Sequence, residues 1–111
     1  MKSIRILLED MLTAINAVEF YHVATYDVFH HDGMLQDAIM FNLIILGEAA
    51  KKIPRDFQDA HPELPWASII GIRNLIVHGY DQIKLKVVWD IITKDLGQLK
   101  ETIKELLTKT N

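Results

Sequence analysis

The sequence predicts an all-α fold, a bundle of four main helices with a short extra helical turn that forms a homodimer. Apolar residues recur at helical spacing nearly throughout, and in the first segment they alternate in steps of four and three (Ile4, Leu8, Met11, Ile15, Val18). No stretch alternates apolar and polar residues as a half-buried strand does. The middle of the second helix is apolar on every side, so we expect one face to meet the core and another to meet a second subunit.

Capping and breaking residues set the expected helix boundaries. Ser3 can cap the first helix, and Pro54 stops the second. Pro65 suits the first position of the third helix, Gly79 is a natural stop after it, and Gly97 is a candidate bend in the fourth. The expected main helices begin after residue 3 and cover about 34–53, about 65–77 and about 84–108, with the short polar turn at 55–61.

Composition narrows the class of protein. The 111 residues fit one domain, residues 1–111, with a net charge of −3. The absence of cysteine excludes disulfides, thiolate catalysis and cysteine-based zinc sites. The longest nearly pure apolar run, Ala38–Leu46, is shorter than the roughly 18–20 residues of a membrane span, and the N-terminal segment turns acidic too early for a secretory signal. We therefore expect a cytoplasmic protein that does not enter a membrane. Its mild acidity argues against general nucleic-acid coating but leaves room for a local phosphate site.

Two polar residues stand inside the very apolar third helix. Arg73 needs a partner or an open groove, because an unpaired buried guanidinium is costly, and its planar fork suits a carboxylate or a phosphate. Asn74 and His78 are four apart and share a helix face, whereas Arg73 and His78 are five apart, about 140° around the axis. Either the helix ends near Val77 and the turn at Gly79 brings His78 back, or a second subunit completes the site.

Two interpretations of this group remain open from the residues alone. In the structural one, Arg73 pairs with Glu48, Asn74 caps a helix or bridges helices, and His78 contacts the last carbonyls of its helix. In the functional one, the group handles a phosphate without a metal. Arg73 then holds the phosphate and stabilises developing charge, and His78 moves a proton near neutral pH.

Other polar and aromatic groups are weaker candidates. Adjacent loop histidines lack the helical spacing of a metal site, and lysine pairs are either solvated charges or a local basic rim for nucleic acid. The two tryptophans are expected to anchor the core. These candidates are His22, His30, His31 and Asp32 for a metal, Lys51, Lys52, Lys84 and Lys86 for a basic rim, and Trp66 and Trp89 as core anchors.

Several blocks resemble a known family when taken in order along the chain. The segments at 46–54 (LGEAAKKIP), 62–66 (PELPW) and 71–80 (GIRNLIVHGY) resemble HepT-like proteins of the HEPN superfamily. The segments at 9–12 (EDML) and 88–92 (VWDII) fit the same pattern. The resemblance therefore covers essentially the whole chain.

The resemblance implies an all-helical HEPN-type toxin that dimerises and cleaves RNA without a metal or another cofactor. The family's Arg-x4-His-x-Tyr motif falls on Arg73, His78 and Tyr80, with Asn74 and Glu48 as supporting residues. The resemblance also implies a cognate MntA-type minimal nucleotidyltransferase as antitoxin, in a type VII-like toxin–antitoxin system. That partner would transfer AMP from ATP onto Tyr80, and toxin and antitoxin could form assemblies larger than the dimer.

The expected reaction is transphosphorylation, in which a ribose 2′-hydroxyl attacks the adjacent phosphate of the RNA. One chain offers one histidine at the motif, and a symmetric dimer offers a base and an acid. An alternative is a non-catalytic HEPN subunit that binds a nucleotide or a partner nucleotidyltransferase. A third alternative is a purely structural dimer.

Overall fold

The computed structural model describes residues 2–21, 25–79 and 84–111, and these residues are helical nearly throughout. No strand occurs within these ranges, so the predicted all-α class is confirmed. The helices in chain order are α1 (Ile4–Tyr21), α2 (Tyr26–His30), α3 (Gly33–Lys52), α4 (Arg55–Ala60), α5 (Trp66–Gly79), α6 (Leu85–Asp90) and α7 (Leu96–Thr108), with a π-helical turn (Ile91–Asp95) between α6 and α7.

Helix α3 lies at the centre of the bundle, where α1 and α5 pack against it and α7 packs against α1. The apolar seam predicted for α1 is buried from Leu8 onward, while Ile4 at its start is half-buried. Arg5 connects the start of α1 to the end of α7. Its Nη1 donates hydrogen bonds to the carbonyl oxygens of Leu107 and Thr110 at 3.0 and 2.8 Å. Side chains that are almost completely buried in this core include Leu8, Met11, Ile15, Phe29, Ile39, Leu43, Leu46, Ile69, Ile76 and Ile103.

The short helix α2 was not expected from the sequence. The Thr25 side chain accepts a hydrogen bond from the Val28 N–H at 3.3 Å and caps the helix, and Phe29 is fully buried beneath it. Five residues hold little more than one turn, so α2 carries no repeating apolar pattern that a sequence could reveal.

The irregularity in the last helical segment also differs from the prediction. Gly97, the expected bend, lies inside α7, and the π-helical turn comes just before that helix. The buried positions Val88, Ile92 and Leu96 follow one another in two steps of four, which would drift about 80° around a regular α-helix. The wider π turn keeps all three on the core side, so packing rather than glycine sets the distortion.

The outer face of α3 is not covered by the protomer. Phe41 is 62% exposed and Met34 is 86% exposed, and whether a second subunit covers this face, as the sequence predicted, stays a prediction. With 20 residues and a mean hydropathy of 1.2, α3 is also long and apolar enough to cross a membrane by length and composition alone. A core helix of a soluble protein passes the same test, and α3 packs between α1 and α5.

Candidate active site

The position of Arg73 follows from the way α5 is anchored. Trp66 begins the helix, is 7% exposed and donates from Nε1 to the carbonyl oxygen of His61 at 2.9 Å. Ile69 and Ile76 are buried, and Arg73 lies between them at steps of four and three. These three residues lie on the same face of α5, and this face packs against α3. The Arg73 side chain is therefore placed next to α3.

The Arg73 guanidinium is held by two neighbours. Its Nε donates to Oε1 of Glu48 on α3, and its Nη1 donates to Oδ1 of Asn74 at 2.9 Å. The Arg73 side chain is 20% exposed and that of Glu48 is 37% exposed. Among the described residues these bonds use two of the five N–H donors of the guanidinium, so it is oriented and its outer edge can still meet an anion.

The pairing also shifts the titration of Glu48. The hydrogen bond from Arg73 lowers the pKa of the Glu48 carboxyl below its usual 4.5, and the positive charges of Arg73, Lys51 and Lys52 lower it further. Partial burial raises the pKa and opposes these effects. Glu48 is therefore a carboxylate at neutral pH, and the ion pair that the sequence suggested is present.

Gly47 allows α5 to approach this closely. A Cβ built on Gly47 would overlap Cβ of Arg73 and would lie 3.1 Å from the carbonyl oxygen of Ile69 and 3.2 Å from Cγ of Arg73. The atoms it would meet are helix backbone and the stem of a side chain, which cannot swing away as a flexible tip can. The absent side chain at Gly47 thus lets the stem of Arg73 lie against α3 beside Glu48.

His78 lies apart from this group within one protomer. Helix α5 continues through Gly79, so the suggestion that it ends near Val77 and returns His78 toward Arg73 is wrong. On the continuous helix Arg73 and His78 point about 140° apart, and His78 is exposed on the face of Asn74. The structure therefore brings Glu48, Arg73 and Asn74 together and leaves His78 facing outward. Tyr80, the expected modification site, lies outside the described residues.

The loop residues considered for a metal have structural contacts. Asp32 caps α3 by accepting a hydrogen bond from the Leu35 N–H at 3.0 Å, and His31 hydrogen-bonds through Nδ1 to the Asp27 carbonyl oxygen at 2.8 Å. Within residues 2–21, 25–79 and 84–111, no group of three or more histidine and acidic side chains is placed to hold a metal ion. His22 lies outside the described residues.

A cleft next to the ion pair was not expected from the sequence. It has a volume of about 350 Å³, runs between α1 and α3, and has Glu48 in its wall. The sequence holds one signal for it, because Asn42 interrupts the most apolar run of the chain and lines the cleft. The polar side chains in the wall are those of Lys2, Asp10, Thr13, Asn42, Glu48 and Lys52.

Comparison with known proteins decides the family. The family described as "Ribonuclease HepT-like" matches residues 11–106, a span that includes Glu48, Arg73, His78 and Tyr80. The chain belongs to the HepT-like ribonuclease family.

Similar proteins cover the chain almost end to end. A protein named "Putative RNase" from Caldanaerobacter subterraneus is 32% identical, with 98% of each chain covered. A "Probable ribonuclease HepT" from Thermococcus cleftensis is 35% identical over 89% of this chain and 91% of its own length. No solved structure matches. The family membership supports a ribonuclease of the HEPN type, in line with the resemblance drawn from the sequence.

Proposed function

We propose that this HepT-like chain is the toxin of a type VII-like toxin–antitoxin system and acts as a metal-independent endoribonuclease. The observation that carries the proposal is Arg73, a guanidinium held by Glu48 and Asn74 that keeps three of its five N–H donors unused among the described residues, in a chain of a ribonuclease family. A pre-oriented guanidinium is suited to a phosphate that gains negative charge during reaction. The whole chain, residues 1–111, would act as one cytoplasmic HEPN/HepT-like domain.

The proposed reaction is an internal transphosphorylation of RNA. The 2′-oxygen forms a bond to the adjacent phosphorus while the bond from phosphorus to the 5′-oxygen breaks, which leaves a 2′,3′-cyclic phosphate and a 5′-hydroxyl. One His78 takes the proton of the 2′-hydroxyl, and a second His78 gives a proton to the leaving 5′-oxygen. Arg73 stabilises the charge on the phosphorane-like transition state.

The helix geometry supports a second protomer. Arg73 and His78 project about 140° apart from one continuous helix, which favours a site that takes its arginine and its histidine from different protomers. A two-fold dimer supplies both histidines and both arginines to a shared site. The exposed apolar side chains Phe41 and Met34 on α3 support such a contact, because exposed apolar surface commonly marks a protein interface.

Regulation by covalent modification completes the proposal. A cognate MntA-type nucleotidyltransferase would transfer AMP from ATP to the phenol oxygen of Tyr80, two residues beyond His78 in the sequence, with loss of the phenol proton and release of pyrophosphate. The added AMP brings bulk and a negative phosphate to the motif, and we propose that it competes there with the RNA phosphate and so neutralises toxicity. Intact mass after co-expression with the antitoxin tests this step, and Tyr80→Phe is the matched control that should gain no AMP.

The proposed nuclease is tested with purified wild-type protein beside Arg73→Ala and His78→Ala, on RNA with and without EDTA. We expect wild type alone to cleave, with unchanged rate in EDTA and 2′,3′-cyclic phosphate ends. The rate should peak at intermediate pH, because one histidine must be neutral and the other protonated; a flat profile between about pH 5 and 9 contradicts the two-histidine mechanism. RNA binding without cleavage by folded wild type indicates instead the alternative of a non-catalytic nucleotide- or partner-binding subunit.

Subunit mixing tests the shared site directly. Wild-type and His78→Ala chains are co-expressed with different tags in equal amounts, and the total activity is compared with that of wild type alone. If both histidines are required, only the pure wild-type dimers cleave, and random pairing leaves about one quarter of the activity per chain. If each protomer acts alone, about one half remains, which refutes the two-histidine site.

A further inference from the structure

The cleft between α1 and α3 continues from the proposed reaction site. Glu48 belongs both to the cleft wall and to the ion pair with Arg73. A ligand in the cleft that contacts Glu48 would therefore be one side chain away from the guanidinium that we propose binds the scissile phosphate. The opposite part of the wall carries the ion pair of Lys2 with Asp10, with a nitrogen–oxygen distance of 2.7 Å.

The chemistry of the wall fits a nucleoside. Its apolar floor is formed by Leu7, Ala14 and Ala49, which are almost completely buried, and by the half-buried Ile45, the apolar side chain that a base could contact. Its polar part includes Thr13 and Asn42, whose hydroxyl and amide both donate and accept hydrogen bonds. Asn42 is held in place because its Nδ2 donates to the carbonyl oxygen of Ala38 at 2.8 Å, and its amide has a second N–H and an oxygen to offer.

The charge of the cleft argues against a run of phosphates. Lys2 and Lys52 in the wall and Arg73 beside it face two carboxylates, those of Asp10 and Glu48, which leaves a net positive charge of one. A polyanion track would need several uncompensated cations. One phosphate near Lys52 or Arg73 and an uncharged base in the remaining space match this balance.

The size of the cleft limits its occupant. A volume of about 350 Å³ is near the lower end of the range of roughly 300–1,000 Å³ typical of small-molecule sites. It can take one nucleotide and cannot take a helical duplex, whose bases are stacked and paired and so not free to enter. RNA recognition through bases generally requires single strands whose bases are splayed out of the stack.

We propose that this cleft is a nucleoside-binding subsite that takes one unstacked base of the RNA beside the scissile phosphate, and that the enzyme consequently cuts single-stranded RNA. The inference rests on the proposed ribonuclease function. Thr13 and Asn42 contact the base, and Lys52 contacts a flanking phosphate. The nucleotide in the subsite thereby fixes the register of the strand over Arg73.

The test measures binding rather than cleavage, so that it does not depend on catalysis. His78→Ala protein is titrated against a fluorescent single-stranded RNA and a hairpin of the same composition whose strands are joined by a polyethylene glycol linker, so that the hairpin offers no unpaired base; the anisotropy gives Kd for each. Asn42→Ala and Thr13→Val are added in this background, with Asn16→Ala as the matched control, since Asn16 is exposed on α1 and outside the cleft wall. Circular dichroism melts check that each variant is folded.

We expect the single strand to bind at least tenfold more tightly than the hairpin. Asn42→Ala should weaken single-strand binding about fivefold, the usual effect of one lost hydrogen bond, and should leave hairpin binding unchanged. Asn16→Ala should bind both RNAs as tightly as the His78→Ala parent. In the His78-intact protein, the same variant should alter which base flanks the cut and raise KM more than it lowers kcat.

The outcomes separate this inference from the proposed function. If the single strand and the hairpin bind equally, or if Asn42→Ala binds like Asn16→Ala, the subsite is refuted even where wild type cleaves RNA. If binding depends on Asn42 and on single-strandedness while wild type cleaves nothing, the subsite stands and the nuclease proposal fails.

Discussion

Gly47→Ala should damage the candidate site through packing alone. The new Cβ would overlap the stem of Arg73 and crowd the Ile69 carbonyl oxygen, so α5 must move away from α3 or Arg73 must leave its position. Overpacking of this kind costs about 1–3 kcal/mol, whereas replacing a helical glycine with alanine gains about 1 kcal/mol. The two effects together give an expected loss of up to about 2 kcal/mol, or up to about 8 °C in Tm for a chain of this length.

The assay pairs a thermal melt with single-turnover RNA cleavage. Because the shift displaces the guanidinium, the cleavage rate should fall at temperatures where the variant is fully folded. Gly97→Ala is the matched control, since Gly97 also lies in a helix but a Cβ there meets nothing within 4 Å. The control should gain about 0.5–1 kcal/mol and keep full activity. A Gly47→Ala protein as stable and as active as Gly97→Ala refutes the close-approach argument.

Three further predictions concern the charged groups. Glu48→Gln should be less stable than wild type at neutral pH. Because the pKa of Glu48 is lowered from 4.5 in the folded protein, the stability difference measured in melts should shrink as the pH falls below 4.5 and disappear once the pH is below the folded-state pKa; a difference independent of pH contradicts the pairing. Arg5→Ala should lower the free energy of unfolding by about 1–2 kcal/mol in chemical denaturation, because two hydrogen bonds are lost, and should not affect cleavage. Arg55→Ala is the control: it removes an 85% exposed side chain and should change the free energy of unfolding by less than about 0.5 kcal/mol. Equal effects of the two variants would contradict this expectation. Arg73→Lys should keep much of the stability through its charge near Glu48 yet lose most of the cleavage rate, because an ammonium lacks the planar fork; cleavage that declines only in step with stability would favour a purely structural role.

Much of the fold was accessible from the sequence because long helices repeat their apolar residues many times. The π-helical turn could not be predicted in this way. The only sign of it in the sequence is that Val88, Ile92 and Leu96 are spaced four residues apart, and this spacing also occurs in an ordinary α-helix. The turn can be inferred only once it is known that all three residues face the same core. Helix α2 is simply too short to show a period.

Some features of the candidate site could be predicted from the sequence and others could not. Arg73 and Glu48 are charged residues in apolar surroundings, so the cost of burying either one alone predicted their pairing, which the structure contains. The role of Gly47 could not be predicted, because it depends on the distance between α3 and α5. From the sequence alone, a glycine inside a helix indicates only a lower helix propensity. The cleft likewise depends on the gap between α1 and α3, which places Thr13 and Asn42 together across 29 positions of sequence.

The structural and functional interpretations of Arg73 are compatible. A guanidinium on a buried stripe needs a carboxylate partner to be tolerated there, and the same partner fixes the orientation of the group. Glu48 accepts from Nε and Asn74 accepts from Nη1, so two hydrogen bonds fix the plane of the guanidinium. An arginine left free in solvent would lose side-chain entropy each time it bound a phosphate, and here that ordering is complete in the folded state. The contact that stabilises the interface of α3 and α5 is therefore also the one that prepares Arg73 for an anion.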